Sequence, residues 1–280
     1  MEISCYVLEQ KFNSIINKNK NSPLRIIFCF IIFVSTSVFA NNKDKIAIVI
    51  DDIGYRATDK TALQLPKQVT FSVLPHTPFG RDLAEQGNLQ QREILLHVPM
   101  ESINNLLLGP GALTSTMDEA NVKKTLAASF ADIPHVIGIN NHMGSLLTQQ
   151  SAPMAWTMQF LKDNDLFFLD SRTSKYSQAE YIAQRLGVPS LHRHIFLDNK
   201  IDEHYIEQQF KKLISSCKRN GAVVAIAHPH PATIKVLKRM LPTLAAKNIE
   251  LVTISQLLPT ESSIQLSQQI NGNASKDQGE

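Results

Sequence analysis

Two adjacent carboxylates close an unbroken run of small and aliphatic residues in Lys45-Ile-Ala-Ile-Val-Ile-Asp51-Asp52-Ile-Gly54. A short Ile/Val run of this kind reads as a strand buried on both faces, so the acids must lie at its carboxyl end. Side chains alternate along a strand, so Asp51 and Asp52 project differently into one cleft. That suits a division of labour in which one carboxylate ligates a metal and the other moves protons. Asp-Asp-x-Gly is also ordinary turn chemistry, and the other strand ends decide between the two. Glu93-Ile-Leu-Leu-His97 leads into Val-Pro-Met-Glu101, and Val136-Ile-Gly-Ile-Asn140 into Asn141-His142. Phe168-Leu leads into Asp170, Phe196-Leu into Asp198, and Ala222-Val-Val-Ala-Ile-Ala into His228-Pro-His230. Imidazoles and carboxylates are the ligands of zinc and related cations, and the same groups act as general acids and bases.

For these residues to meet, their strands must open on one face. Strand-like runs at 45–50, 69–74, 93–98, 135–140, 166–170, 194–197, 222–227 and 249–254 are separated mostly by helical stretches. Such alternation predicts an irregular (β/α) barrel of about seven to eight parallel strands, with every strand carboxyl end on one rim. Thr116-Met-Asp-Glu119 and Ser177-Gln-Ala-Glu180 fit the capping box, and Asp202 suits a helix cap. Gly187 and Gly221 suit helix stops, Pro231 a first helical turn and Pro242 a break. Residues 99–116, with Gly109-Pro-Gly111, form a longer loop than such connections need, as functional loops often do. Cys217 continues the helical stripe of Ile206, Phe210, Leu213 and Ile214, which marks it as core rather than nucleophile.

The two ends read differently. Lys11, Lys18, Lys20 and Arg25 precede an apolar run over 26–34 and the ending Val38-Phe39-Ala40. This pattern predicts a signal peptide over 1–40, hence a periplasmic or secreted protein with no stable membrane insertion after cleavage. Cleavage removes four basic and two acidic residues, which takes the net charge from +3 to +1. A nearly neutral chain carries no electrostatic footprint for nucleic acid. The intervening 41–260 is long enough for one large core and reads as one domain. The polar stretch 261–280 is expected to be disordered.

The order of these motifs resembles the polysaccharide deacetylase family. Asp-Asp-Ile-Gly, His-Val-Pro-Met-Glu, Gly-Ile-Asn-Asn-His-Met-Gly-Ser and Ala-His-Pro-His look like its divergent bacterial branch, over about residues 45–258. The resemblance implies a barrel of that family's type and a metal-dependent hydrolase that removes N-acetyl or O-acetyl groups from an envelope glycan. It assigns Asp51 as general base, Asp52 and His97 as metal ligands, and His228 as the acid that protonates the leaving group, with His230 as a close alternative. The family's second strand-three histidine is Glu101 here, so the third ligand is either that carboxylate or His142. Zinc is the first expectation for the cation. Asn141, Asp170, Glu101 and His230 are the expected substrate contacts, with Asp170 also placed to orient a histidine or arginine. Tyr55, Phe79 and Tyr176 are weaker candidates for stacking on sugar. Two competing readings keep the same barrel: a catalytically degenerate envelope protein that binds glycan or protein, and a metal-dependent phosphoester or amide hydrolase.

Overall fold

The computed structural model describes residues 43–259; the expected signal peptide and polar tail lie outside the described residues. Nine strands form one parallel sheet: β1 (Asp44–Ile53), β2 (Thr70–Val73), β3 (Ile94–Met100), β4 (Val136–Met143), β5 (Phe167–Asp170), β6 (Ser190–His192), β7 (Ile195–Phe196), β8 (Ala222–Ala227) and β9 (Ile249–Leu251). Their order is β6-β5-β4-β3-β2-β1-β8-β7, with β9 beside the start of β1. β6 and β7 stand at opposite ends of this order, yet only Arg193 and His194 separate them in the chain. The Arg193 N–H donates to the Asp170 carbonyl and the His194 N–H to that of Val224. One extended segment therefore serves both sheet edges, and the sheet curls into the expected irregular (β/α) barrel. The sequence reading missed β6, which is too short to show an alternating pattern.

Among the described residues six α-helices follow strands: α1 (Gly80–Leu89), α2 (Glu119–Asp132), α3 (Ser151–Asp163), α4 (Ala179–Leu186), α5 (Glu203–Asn220) and α6 (Pro231–Met240). Asp202 caps α5 by accepting from the Tyr205 N–H, and Gly187 and Gly221, both at φ 75°, end α4 and α5. The two capping boxes are displaced. Asp118, not Thr116, caps α2, and Glu180 turns away to pair with Arg172 and His192. Cys217 is fully buried on α5, and burial pushes its thiol up to about 11, as a core residue requires.

The two faces of the sheet fix what reaches the mouth. On β1, Ile46, Ile48 and Ile50 pack outward in the main core, while Ala47 and Val49 face an inner cluster with Leu95, Leu169, Val224 and Ile226. Continuing that inner parity along each strand leads to Asp51, His97, Ser171 and His228. On β4 the register slips between the pairs Ile94↔Val136 and Leu95↔Gly138, so that His97 faces Asn140 and Pro99 faces His142. After the slip Asn140 and His142 share the inner parity, and Asn141 does not.

Candidate active site and metal centre

Asp52 breaks the parity rule. As the neighbour of an inward residue it should point outward, but the β1–β2 register shifts between Ile50 and Ile53, and Asp52 takes φ 59°. A left-handed conformation is costly for a residue with a Cβ and persists where the surroundings impose it. It returns the Asp52 carboxylate to the mouth. There Oδ1 lies 2.8 Å from His142 Nδ1 and 3.1 Å from His97 Nε2, and Oδ2 lies 3.8 Å from His228 Nε2. Neither near ring directs an N–H at Oδ1, which is buried without a hydrogen bond. Burial alone would raise the Asp52 pKa, but the His142 and His97 rings outweigh it and hold the carboxyl well below the usual range.

Asn140 organises the floor. Its Oδ1 accepts from Ser72 Oγ and lies 2.7 Å from His97 Nδ1; its Nδ2 donates to Asp51 Oδ1 at 2.9 Å and to Ser171 Oγ at 3.3 Å. An amide oxygen can only accept, so Nδ1 of His97 carries the proton whenever the ring is neutral, and the Nε2 lone pair is left free on the side of the mouth. Asp51 is 2% exposed, with its Oδ2 3.7 Å from His97 Nε2. Burial pushes the Asp51 carboxyl up, against the pull of His97 and His228.

His228 is held from behind. Its Nδ1 lies 2.9 Å from Asp198 Oδ1, while Asp198 Oδ2 accepts from the His228 N–H and from Thr233 Oγ1. Burial works against a charged imidazole here, but the Asp198 bond and charge, with Asp52 and Asp51, raise the His228 pKa to about 9.

Asp51, Asp52, His97, His142 and His228 thus converge on one mouth. His230 sits on the flank, its ring 6.0 Å from that of His228 and its backbone capping α6. Three other residues do not reach the cluster. Glu101 Oε2 accepts from the Ser115 N–H and pins the long loop, so His142, not Glu101, completes the cluster with Asp52 and His97. Asn141 bonds the Met143 carbonyl and the Ser171 N–H. Asp170 accepts from the Arg172 N–H and Ser177 Oγ. The last two lie on the outward parity, which is why they serve backbone and loop. Asn140, Ser72 and Asp198 are the participants the sequence reading left without a role. Counting back two positions from His142 identifies Asn140.

The donor set fits a divalent cation. Asp52, His97 and His142 each offer a ligand atom, all within 4.8 Å of one another. A buried carboxylate oxygen without a hydrogen bond between two imidazole nitrogens is the signature of a shared positive ligand, and two nitrogens with one oxygen suit zinc. Tyr55, Phe79 and Tyr176 are exposed, and Gly109 runs close to Tyr55: a Cβ there would stand 2.6 Å from its hydroxyl.

A family model described as "divergent polysaccharide deacetylase" matches residues 48–258. The uncharacterized protein YibQ of Escherichia coli is 37% identical over 234 residues, which covers 83% of this chain and 72% of that one. An uncharacterized protein of Haemophilus influenzae is 36% identical over 236 residues, covering 83% and 84%. Among solved structures, the uncharacterized protein ATU2773 from Agrobacterium tumefaciens C58 superposes with a TM-score of 0.74 at 23% identity, over 77% of this chain and 89% of that one. The last comparison bears on the fold alone.

Proposed function

Because the chain belongs to the divergent polysaccharide deacetylase family, we propose that it is a metal-dependent hydrolase that removes acetyl groups from an envelope polysaccharide. The observation that carries this reading is the Asp52 Oδ1 between His97 Nε2 and His142 Nδ1, beside Asp51 and His228. A divalent cation held by Asp52, His97 and His142, zinc before others, would supply Lewis acidity that acidifies water and polarises the acetyl carbonyl.

The chain's own residues supply the proton transfers. Asn140 engages Asp51 Oδ1 and leaves Oδ2 to take the proton of the attacking water. Burial that raises the Asp51 pKa makes it a stronger base than an exposed carboxylate. His228, raised to about 9, is protonated at neutral pH and gives its Nε2 proton to the departing amine as the amide C–N bond breaks. Asp198 on Nδ1 fixes which nitrogen faces the mouth and stabilises the imidazolium. The base and the acid therefore differ in environment, as paired roles require. The succession of basic, apolar and small residues over 1–40 supports export, which brings the protein to an envelope glycan.

The test is acetate release from a panel of N- and O-acetylated envelope glycans, with metal content measured on the same preparations. A zinc-loaded wild type that releases acetate, beside an Asp51→Asn variant that holds zinc and does not, is the expected result. A zinc-loaded wild type silent across the panel would replace the enzyme with a glycan- or protein-binding envelope protein.

A further inference from the structure

A cavity of about 510 Å³, sharing no residue with the Asp52, His97 and His142 cluster, is lined by Arg172, Ser174, Lys175, Ser177, Arg193 and His194. Three cations, an imidazole and two hydroxyls line it, and among the described residues no carboxylate does. Arg172 is paired with Glu180. Among the described residues, neither Lys175 nor Arg193 has a carboxylate within 4.0 Å. Arg193 is half-buried and fixed: Nε donates to the Ser171 carbonyl at 2.6 Å, one terminal nitrogen donates to the Arg172 carbonyl, and the guanidinium lies 3.9 Å over the Phe196 ring. Burial pulls its pKa below the ordinary value and Arg172 adds to this, against Asp170 and Asp51. A preorganised cation in a partly desolvated wall, without an anion of its own, gains more from a bound oxyanion than a solvated lysine would.

The cavity is tied to the candidate active site in two ways. Ser171, whose carbonyl orients Arg193, also meets the Asn140 amide that holds Asp51. The Phe196 ring under Arg193 lies 6.2 Å from the His228 ring, so the guanidinium carbon is at most the sum of these distances, about 10 Å, from the imidazole. Neighbouring sugars of one glycan strand bridge such a separation.

We propose that Arg172, Lys175, Arg193 and His194 form a subsite for an oxyanion carried by the glycan, a carboxylate or phosphate on a sugar near the acetyl group, so that the substrate is an anionic acetylated polysaccharide. The inference rests on the deacetylase reading for the identity of the glycan, and its test does not depend on turnover.

Binding is measured by calorimetry with the zinc-loaded full chain at low salt, where charge pairing is least screened. The probes are a neutral oligomer of N-acetylglucosamine, a matched oligomer with N-acetylmuramic acid, the methyl ester of that acid, and an oligomer carrying a 6-phosphate. Wild type is expected to bind the carboxylate or the phosphate probe about tenfold or more tightly than the neutral ones, the scale of one good charge-assisted contact. Whichever anion is preferred identifies the substituent. Lys175→Gln and Arg193→Gln should each reduce that preference and leave affinity for the neutral oligomer unchanged. Lys175 is exposed, so its variant keeps the test open if Arg193→Gln does not fold. Equal affinity of wild type for acid, phosphate and neutral probes, or a preference that survives both substitutions, overturns the subsite. Acetate release reports separately on the deacetylase reading: a charge preference with no turnover of these probes or of the acetylated panel sinks that reading and leaves the subsite standing.

Discussion

His97 Nδ1 lies 2.7 Å from Asn140 Oδ1, and the same amide donates to Asp51 Oδ1 at 2.9 Å. One side chain thereby orients both the proposed ligand and the proposed base. Asn140→Ala should cut zinc affinity by about 10–100-fold, the usual cost of removing a partner behind a ligand, and should lower turnover as well. Competition titration against a chromophoric chelator measures the first effect. Unchanged affinity would show that the ring needs no such support.

The neighbouring acids should separate by phenotype. Asp51→Asn keeps the metal and loses about 10²–10⁴-fold in rate, as loss of a general base does. Asp52→Asn loses both, because an amide oxygen is an uncharged and weaker ligand. Glu101→Gln keeps the metal, since Glu101 is engaged with the Ser115 N–H. Metal content and acetate release, measured together on all three variants, check the assignment. Zinc lost from Glu101→Gln would move the third ligand to that carboxylate.

Metal binding should stabilise the fold by mass action, by about 2.7 kcal/mol when free ion is about 100 times Kd. A chelator should lower the melting temperature of wild type and leave Asp52→Ala where it was. The affinity should also fall with pH: Asp51 and Asp52 outweigh burial and raise the His97 pKa, so protons compete for the ring the cation needs. Melting curves that ignore chelator, for protein shown to start zinc-loaded, would count against the site.

His228 gives a pH signature of its own. Its folded pKa, about 9, stands above the ordinary 6.5. Its contribution to stability is therefore fully present below about pH 6.5 and lost as pH rises through about 9. The imidazole is only 25% exposed, so the contribution is at most about 3 kcal/mol. Denaturant unfolding of the metal-free protein across this window should show the loss, and His228→Gln should flatten it. Asp198→Asn should move the titration, followed by NMR, down toward the ordinary value. A bound cation should move it down too, because it offsets the charge of Asp52. A His228 that titrates near 6.5 in the metal-free wild type would remove it as the acid.

The residues legible in the sequence are those at which local pattern and tertiary position agree. His97 and His228 end apolar runs on the same parity as inner core residues, and the run into Asp51 does likewise. Asn141 and Asp170 looked equivalent because a run of residues does not announce which parity faces the axis. On β4 that choice is set by a register slip that only the pairing with β3 determines. Glu101 stands where the family resemblance puts a second metal histidine, but the return of the long loop, with Leu113 bridged to Met100, draws it toward Ser115. The left-handed Asp52 left no local trace beyond the glycine two residues on.

The segment Ser190–Phe196 has a further consequence, for solubility. The edges of a sheet are where another chain adds a strand, and long, flat edges invite aggregation. Here both edges belong to consecutive strands of three and two residues, Ser190–His192 and Ile195–Phe196, with Arg193 and His194 between them. Edges this short, with charge at their junction, make a poor template for strand addition. Once that segment is seated the folded chain is protected from its own kind, and its recognition of other molecules is left to the rim.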